Sequence, residues 1–81
     1  MINISIHHEM SGQGITEREE AKFKEEHKHL LKTIKLAIKN NMRPIKGDSI
    51  YGDDDLYFVK RVCFDPYGVQ FYLNENEEEI D

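Results

Sequence analysis

Two periodicities of apolar residues divide this chain into strands and one long helix. Residues 2–7 alternate isoleucine with polar side chains, and that two-residue period predicts a half-buried strand. From Phe23 onward, apolar positions recur at steps of three and four, which predicts an amphipathic helix over about 17–41. The predicted apolar stripe of this helix is Phe23, His27, Leu30, Leu31, Ile34, Ala37 and Ile38.

Local signals mark both ends of the predicted helix. Thr16, followed three residues later by Glu19, matches a capping box, in which the hydroxyl and the carboxylate each satisfy a backbone amide. Asn40 and Asn41 can take the left-handed conformation that ends a helix, and Pro44 prevents the helix from resuming. The helix is therefore bounded by its own sequence.

The second half of the chain predicts three strands. A short strand at 49–51 precedes an acidic turn, and a longer strand rich in aromatic and β-branched residues covers 56–64. The third strand, 69–73, follows the segment Asp65-Pro66-Tyr67-Gly68. That segment predicts a type I turn that closes a hairpin, with Gly68 at positive φ.

The alternation of the middle strand slips at Lys60, and two explanations remain open. Either Lys60 lies at the sheet margin with its ammonium group in water, or a bulge shifts the phase of the strand. Read without a bulge, the alternation places Tyr57, Val59 and Arg61 on the sheet face away from the helix. Tyr72 of the next strand is expected on the same face.

These elements predict an α+β fold in the order β-α-β-β-β. Because the helix has no other helix to pack against, its stripe must cover one face of a small, mostly antiparallel sheet of three or four strands. The 81 residues suffice for one domain and are too few for two. Residues 74–81 are mostly acidic and predict a frayed tail.

Charge and composition narrow the classes of function. Residues 1–41 hold seven basic and six acidic side chains (net +1), whereas residues 42–81 hold four and ten (net −6). An acidic domain repels a phosphate backbone, so nucleic acid is a disfavoured partner. The single Cys63 fits a reducing compartment, and no apolar run approaches a membrane span. We therefore expect a cytoplasmic protein that does not enter the membrane.

Candidate catalytic and metal-binding residues are few. The four histidines fall in two pairs along the sequence, the adjacent His7 and His8, and His27 with His29 two residues apart, but the members of each pair point in different directions. No spacing fits zinc, and the consecutive aspartates 53–55 do not fit a calcium loop. No nucleophile elbow or phosphate loop is present. We predict no catalytic residue, metal or cofactor, and no enzyme.

The resulting hypothesis is a non-catalytic protein-interaction module that self-associates, as a dimer, or binds a protein partner. Its predicted binding residues are Tyr57, Val59, Arg61, Tyr72, Asp53, Asp54 and Asp55. The composition, rich in isoleucine, lysine and asparagine, resembles short reading frames of low-GC bacteria and their phages. This resemblance suggests a phage or mobile-element accessory or inhibitor protein that binds a host protein.

Two alternatives stay open. The first is a nucleic-acid binder that uses a helix ridge together with other basic residues, namely Lys28, Lys32, Lys35, Lys39, Arg43, Lys60 and Arg61. The second is a small enzyme or ligand-binding or metal-binding protein that uses His8, His27 and Asp48, and it requires these three residues to converge in one pocket.

Overall fold

A computed structural model describes residues 3–9 and 16–75 of the chain. Its five elements are β1 (Asn3–His8), α1 (Glu17–Lys39), β2 (Ser49–Tyr51), β3 (Leu56–Asp65) and β4 (Gly68–Asn74). The predicted α+β class and element order are confirmed. The predicted frayed tail lies outside the described residues, apart from Asn74, which is buried in β4, and Glu75.

Both predicted ends of α1 are present. The Glu19 amide donates to Thr16 Oγ1 over 3.1 Å, and the Thr16 amide donates to Glu19 Oε1 over 3.0 Å, which completes the capping box. The helix ends at Lys39, two residues before the predicted end. Asn41 has φ 63°, and the Met42 amide reaches the Ala37 carbonyl over 2.8 Å, so the last helical carbonyls are satisfied.

The strands form one four-stranded sheet in the order β1-β4-β3-β2. The β2–β3 and β3–β4 pairs are antiparallel, whereas β1 runs parallel to β4, with Ile6 opposite Phe71. The sheet is therefore mixed but mostly antiparallel. Helix α1 lies across one face, where it contacts β1 and β2.

A bulge at Lys60 explains the slip in the alternation of β3. Val59 pairs with Leu73 and Arg61 pairs with Tyr72, so Lys60 is the extra residue on β3. Of the two explanations that the sequence left open, the bulge is the one that the structure adopts.

Because of this bulge, two of the predicted binding residues lie on the opposite face of the sheet from the one predicted. Tyr57 and Val59 precede it and face the helix, with exposed fractions of 0% and 1%. Their predicted position on the sheet face away from the helix is wrong. The bulge shifts the alternation of β3, so Arg61 after the bulge lies on that face, whereas Tyr57 and Val59 before it lie on the helix-facing side. Both side chains belong to the core.

The core lies between α1 and the helix-facing side of the sheet. It consists of Ile6, Phe23, Leu30, Ile34, Ile50, Tyr57, Val59, Val69, Phe71 and Leu73. Leu31 and Ile38 of the predicted stripe are partly buried and pack against it. In residues 3–9 and 16–75, no helix combines the length and the apolar character that a membrane crossing requires.

The β3–β4 turn is held by a side chain, and its glycine is needed for a different reason than predicted. Asp65 Oδ1 accepts hydrogen bonds from the Tyr67 amide over 2.7 Å and the Gly68 amide over 2.9 Å. The predicted positive φ of Gly68 is wrong, since Gly47 is the only glycine with positive φ in the described part. A Cβ on Gly68 would instead lie 2.0 Å from the Asn3 carbonyl oxygen. The close approach of β1 therefore requires glycine.

Candidate functional site

The sheet face away from α1 carries a row of three planar side chains on three adjacent strands. Tyr72 of β4 lies in the middle, with the His7 ring of β1 stacked at 4.8 Å between centroids. The Arg61 guanidinium of β3 lies 4.2 Å from the centre of the Tyr72 ring. These three residues, His7, Tyr72 and Arg61, are called the open-face row below.

Hydrogen bonds hold the row in place. The Tyr72 hydroxyl donates to Gln70 Oε1 over 3.2 Å, and Arg61 Nη2 donates to Glu9 Oε1 over 3.4 Å. The Arg61 side chain nevertheless remains 55% exposed. The row is thus ordered by its neighbours while its cationic end still faces solvent.

Strand register creates this row. The bulge at Lys60 sets Arg61 directly opposite Tyr72, and the parallel pairing of β1 sets His7 opposite Tyr72 from the other side. Sequence reasoning identified Arg61 and Tyr72 but missed His7, because no local feature of the sequence indicates that the first strand pairs with the last. The alternation of β1 does place His7 on the polar side of its strand, which is the signal that was available.

A second cation–aromatic pair extends the same face toward the start of β3. The Lys60 ammonium lies 5.9 Å from the centre of the Phe58 ring, and Phe58 is half-buried. Cys63 is a free, half-buried thiol opposite Gln70. The open face therefore combines aromatic, cationic and small side chains.

The three predicted acidic residues lie in the β2–β3 turn, where their backbone amides point at a buried carboxylate. Glu26 is only 2% exposed, and its Oε1 accepts the Asp53 amide over 2.6 Å. The Asp54 and Asp55 amides approach the same carboxylate over 3.2 Å and 3.4 Å. Successive amides of this kind form an anion-binding concavity, so this turn holds an acidic group of its own chain.

Lys22 balances the charges around this turn. Its ammonium lies 3.3 Å from Asp54 Oδ2 and 3.9 Å from carboxylate oxygens of both Asp55 and Glu26. A hydrogen bond with Asp54 is the main reason that the pKa of Lys22 is raised above its usual value. The Asp54 side chain stays 73% exposed, so this carboxylate still presents negative charge to solvent.

Sequence reasoning missed Glu26, which is the residue that orders the turn. The predicted apolar stripe of the helix did not include this glutamate. The available signal was its spacing, since Glu26 lies three residues after Phe23 and four before Leu30, within the core-facing stripe. Gly52 is part of the same arrangement, because a Cβ there would lie 2.0 Å from Glu26 Oε1.

The ligand-binding alternative requires His8, His27 and Asp48 to converge in one pocket, and the structure has a cleft between β1 and α1 that contains part of this group. Two of these, His8 and His27, line a cleft of about 560 Å³, together with Phe23. Asp48 lies elsewhere, where its Oδ2 accepts the Ile45 amide over 2.8 Å. The three residues therefore do not converge. Within residues 3–9 and 16–75, no group of three His, Cys, Asp or Glu side chains could hold a metal ion.

His8 is a largely buried polar group of this cleft. Its Nε2 lies 2.8 Å from Glu75 Oε1, and its ring stacks on Phe23 at 4.5 Å. The side chain is 8% exposed, and Nδ1 has no hydrogen-bond partner in the part of the chain that the structure describes. The Glu75 contact favours the tautomer with the proton on Nε2, which leaves Nδ1 as an acceptor.

The basic residues of the nucleic-acid alternative do not form one surface. The ridge of Lys28, Lys32, Lys35 and Lys39 is exposed on α1, on one side of the sheet. Arg61 belongs to the opposite, open face, where its guanidinium lies against Tyr72. A single strand of nucleic acid would therefore have to wrap around the domain to contact both groups.

Comparison with known protein families, with curated proteins and with solved structures finds no match for this chain.

Proposed function

We propose that the protein is a non-catalytic protein-interaction module that binds a partner protein through the open-face row. One observation carries the proposal, namely the stacking of His7, Tyr72 and Arg61 across three strands. Tyrosine and arginine are the residue types most enriched among interface residues that dominate binding energy.

The row is suited to binding because it is already ordered. Association costs free energy when flexible side chains must be immobilised, and arginine is among the most flexible. Stacking on Tyr72 and the hydrogen bond to Glu9 restrict Arg61 before any partner arrives. The regular strands beneath the row restrict the backbone in the same way.

Charge supports a basic partner. The chain has a formal net charge of −5, and Asp53 and Asp54 are exposed at the β2–β3 turn. Such charges accelerate encounter with a positively charged protein and contribute less to the final affinity. A phage or mobile-element accessory protein that inhibits a host protein is a module of this kind, and the composition supports that reading.

The experiment uses tagged protein as bait in a lysate of the cells that produce it, with substitutions that separate the row from the rest of the surface. Arg61→Ala and Tyr72→Ala remove row residues. Arg18→Ala and Leu36→Ala are controls, since both residues are exposed on α1, on the other side of the sheet. Any captured partner is then purified and titrated against each variant.

We expect each row substitution to weaken binding by about thirtyfold, the effect of losing roughly 2 kcal/mol at an interface hot spot. The two controls should bind as the unaltered protein does. If all four variants capture the same partner with equal affinity, that partner does not use the open-face row, and the proposal is wrong.

A further inference from the structure

Strand β1 is an edge strand, and its outer side presents a row of backbone groups. In the part of the chain that the structure describes, only β4 pairs with β1. The Asn3 amide donates to the Tyr67 carbonyl over 3.2 Å, and the Glu9 amide donates to the Leu73 carbonyl over 2.7 Å. Because successive residues of a strand direct their backbone groups to opposite sides, the even-numbered residues of β1 point away from β4. These outward residues are Ile4, Ile6 and His8.

Strand β1 itself lacks the features that usually keep an edge strand from pairing. It is six residues long, pairs with β4 without a bulge, and contains no proline, lysine, arginine or carboxylate. The opposite edge, β2, is only three residues long, and its Tyr51 carbonyl accepts a hydrogen bond from the Thr33 hydroxyl over 3.4 Å. Long edges are normally protected in native proteins, so the β1 edge is a site at which another strand can add.

Open space lies beside this edge on the side of the helix. The cleft of about 560 Å³ between β1 and α1 is lined by three consecutive residues of the strand, Ile6, His7 and His8. Side chains at consecutive positions point to opposite faces, so a cleft that all three line must border the strand at its edge. A strand added to β1 therefore has room for its side chains there.

We propose that the β1 edge pairs with the β1 edge of a second copy of this chain, antiparallel, with Ile6 opposite Ile6 of the second copy. In an antiparallel pair, residues that lie directly opposite each other can exchange both of their backbone hydrogen bonds. This register also places Ile4 opposite His8, so every outward residue of β1 meets an outward residue of the second copy. A two-fold interface requires such a patch, one that complements itself.

The side chains fit the same register, which is why a second copy suits this edge. The two Ile6 side chains meet on the helix-facing side, where apolar pairs across neighbouring strands stabilise a sheet. On the open face, Ser5 lies opposite His7. Each histidine therefore faces an uncharged side chain, and no two ionisable groups are placed directly opposite each other. A strand rich in charge would meet its own like charges in this arrangement.

Such a dimer would join the two sheets into one and would duplicate the proposed binding face. The two-fold axis of an antiparallel pair stands perpendicular to the sheet, so both open-face rows lie on the same side. His7 of each row lies on the paired strand itself. The inference goes beyond the proposed function and uses neither Arg61 nor Tyr72, so the two proposals can fail separately.

Hydrogen exchange of individual amides, measured by NMR in dilute solution and at about 1 mM, tests the pairing directly. We expect the amides of Ile4, Ile6 and His8 to become protected only at the higher concentration. The amides of Ser5 and His7 point toward β4, so they should be protected at both concentrations. If the protection of the three outward amides does not rise with concentration, the inference is overturned.

Analytical ultracentrifugation of variants provides the second test. We expect the unaltered chain to reach twice its mass of 9.6 kDa. Ile4→Pro removes an outward amide and leaves the ladder to β4 intact, whereas Ile4→Ala shortens the side chain and keeps that amide. By symmetry, the proline removes a hydrogen bond at two places. Its dimer dissociation constant should therefore be at least about tenfold higher than that of Ile4→Ala.

Other outcomes would overturn the inference. One is a chain that stays monomeric up to about 1 mM, beyond which association is very weak. Another is equal dimerisation of Ile4→Pro and Ile4→Ala, because the outward amide would then not be part of the interface. Protection of the outward amides that appears only when a different protein is added would assign the edge to that protein. Arg61→Ala should leave the dimer unchanged, and its dissociation by that variant would place the contact on the open face instead.

Discussion

Glu26 Oε1 lies 2.6 Å from the backbone nitrogen of Asp53, so a buried carboxylate in the helix is bound by the amides of an acidic turn. The turn's own carboxylates stay outside, and Lys22 offsets part of their charge. The relationship joins α1 to the β2–β3 turn, and through it to the edge of the sheet. It also explains why a glutamate is tolerated among core residues, since a buried charge requires hydrogen-bonding partners.

Replacing Glu26 should therefore destabilise the fold. Glu26→Ala leaves several turn amides without an acceptor in a buried site, and we expect a loss of about 1–3 kcal/mol in the free energy of unfolding. Urea denaturation followed by circular dichroism measures this loss. The exposed neighbour Glu25 provides the control, and Glu25→Ala should change the midpoint little. Equal midpoints for the two variants would mean that the carboxylate does not hold the turn.

The two close glycines should differ in their tolerance of alanine. At Gly68 a Cβ would meet the Asn3 backbone 2.0 Å away, whereas at Gly52 the nearest atom belongs to the end of the Glu26 side chain. A side chain can move away from the new Cβ, whereas the hydrogen-bonded backbone of a strand cannot. Gly68→Ala should therefore lower the free energy of unfolding more than Gly52→Ala does, by about 2 kcal/mol or above. Hydrogen exchange should show lost protection of β1 amides in Gly68→Ala. Intact β1 protection in that variant would contradict the parallel β1–β4 register.

The hairpin turn should weaken in acid through Asp65. Hydrogen bonds from the Gln70 side chain, and then from the Tyr67 amide, hold the pKa of Asp65 below its usual 3.8. Because the folded pKa is depressed, this contribution to stability is complete above pH 3.8 and is lost as pH falls through the folded value.

Asp65→Asn provides the comparison, because asparagine keeps an oxygen that can accept the turn amides but does not titrate. Thermal unfolding of both proteins between pH 5 and about pH 2 covers the relevant range. The gap between the two melting temperatures should narrow below pH 3.8. A gap that stays constant across that range would show that the Asp65 charge does not stabilise the hairpin.

The Tyr57 hydroxyl should be dispensable for stability. It is buried with no hydrogen-bond partner among residues 3–9 and 16–75, and burial is the main cause that raises the pKa of Tyr57. Tyr57→Phe removes an unsatisfied polar atom and keeps the ring, so the free energy of unfolding should be unchanged or rise by up to about 1 kcal/mol. Tyr72→Phe, which loses the hydrogen bond to Gln70, should not show this gain. A loss of stability in Tyr57→Phe would reveal a partner for that hydroxyl.

Local features of this fold were predictable from the sequence, and features set by distant pairing were not. The capping box at Thr16 and the left-handed Asn41 just after the helix depend only on neighbouring residues, so their signals could be read directly. Whether β3 contains a bulge or instead places Lys60 at the sheet margin depends on how β3 pairs with β4. That choice in turn decides whether Tyr57 and Val59 are core or surface, which is why those two positions were misassigned.

The same distinction separates the parts of the candidate site. Tyr72 was predicted because the alternation of β4 is visible, and Arg61 because it lies in the part of β3 after the bulge, where the predicted phase holds. His7 joined them only through the parallel β1–β4 pair, and strand order is not encoded in any single segment. Glu26 was missed because charge on a helix ordinarily indicates solvent, and only its position in the stripe indicates burial.

Photo-crosslinking in living cells tests most directly whether the open face binds a protein. A photoreactive amino acid replaces Gln70, which neighbours Tyr72 on that face, and in a second protein it replaces Lys28 on the exposed side of α1. We expect one adduct of defined mass from position 70, none from position 28, and loss of the adduct when Arg61→Ala is added. Equal adducts from both positions, or an adduct at position 70 that survives Arg61→Ala, would contradict binding through His7, Tyr72 and Arg61.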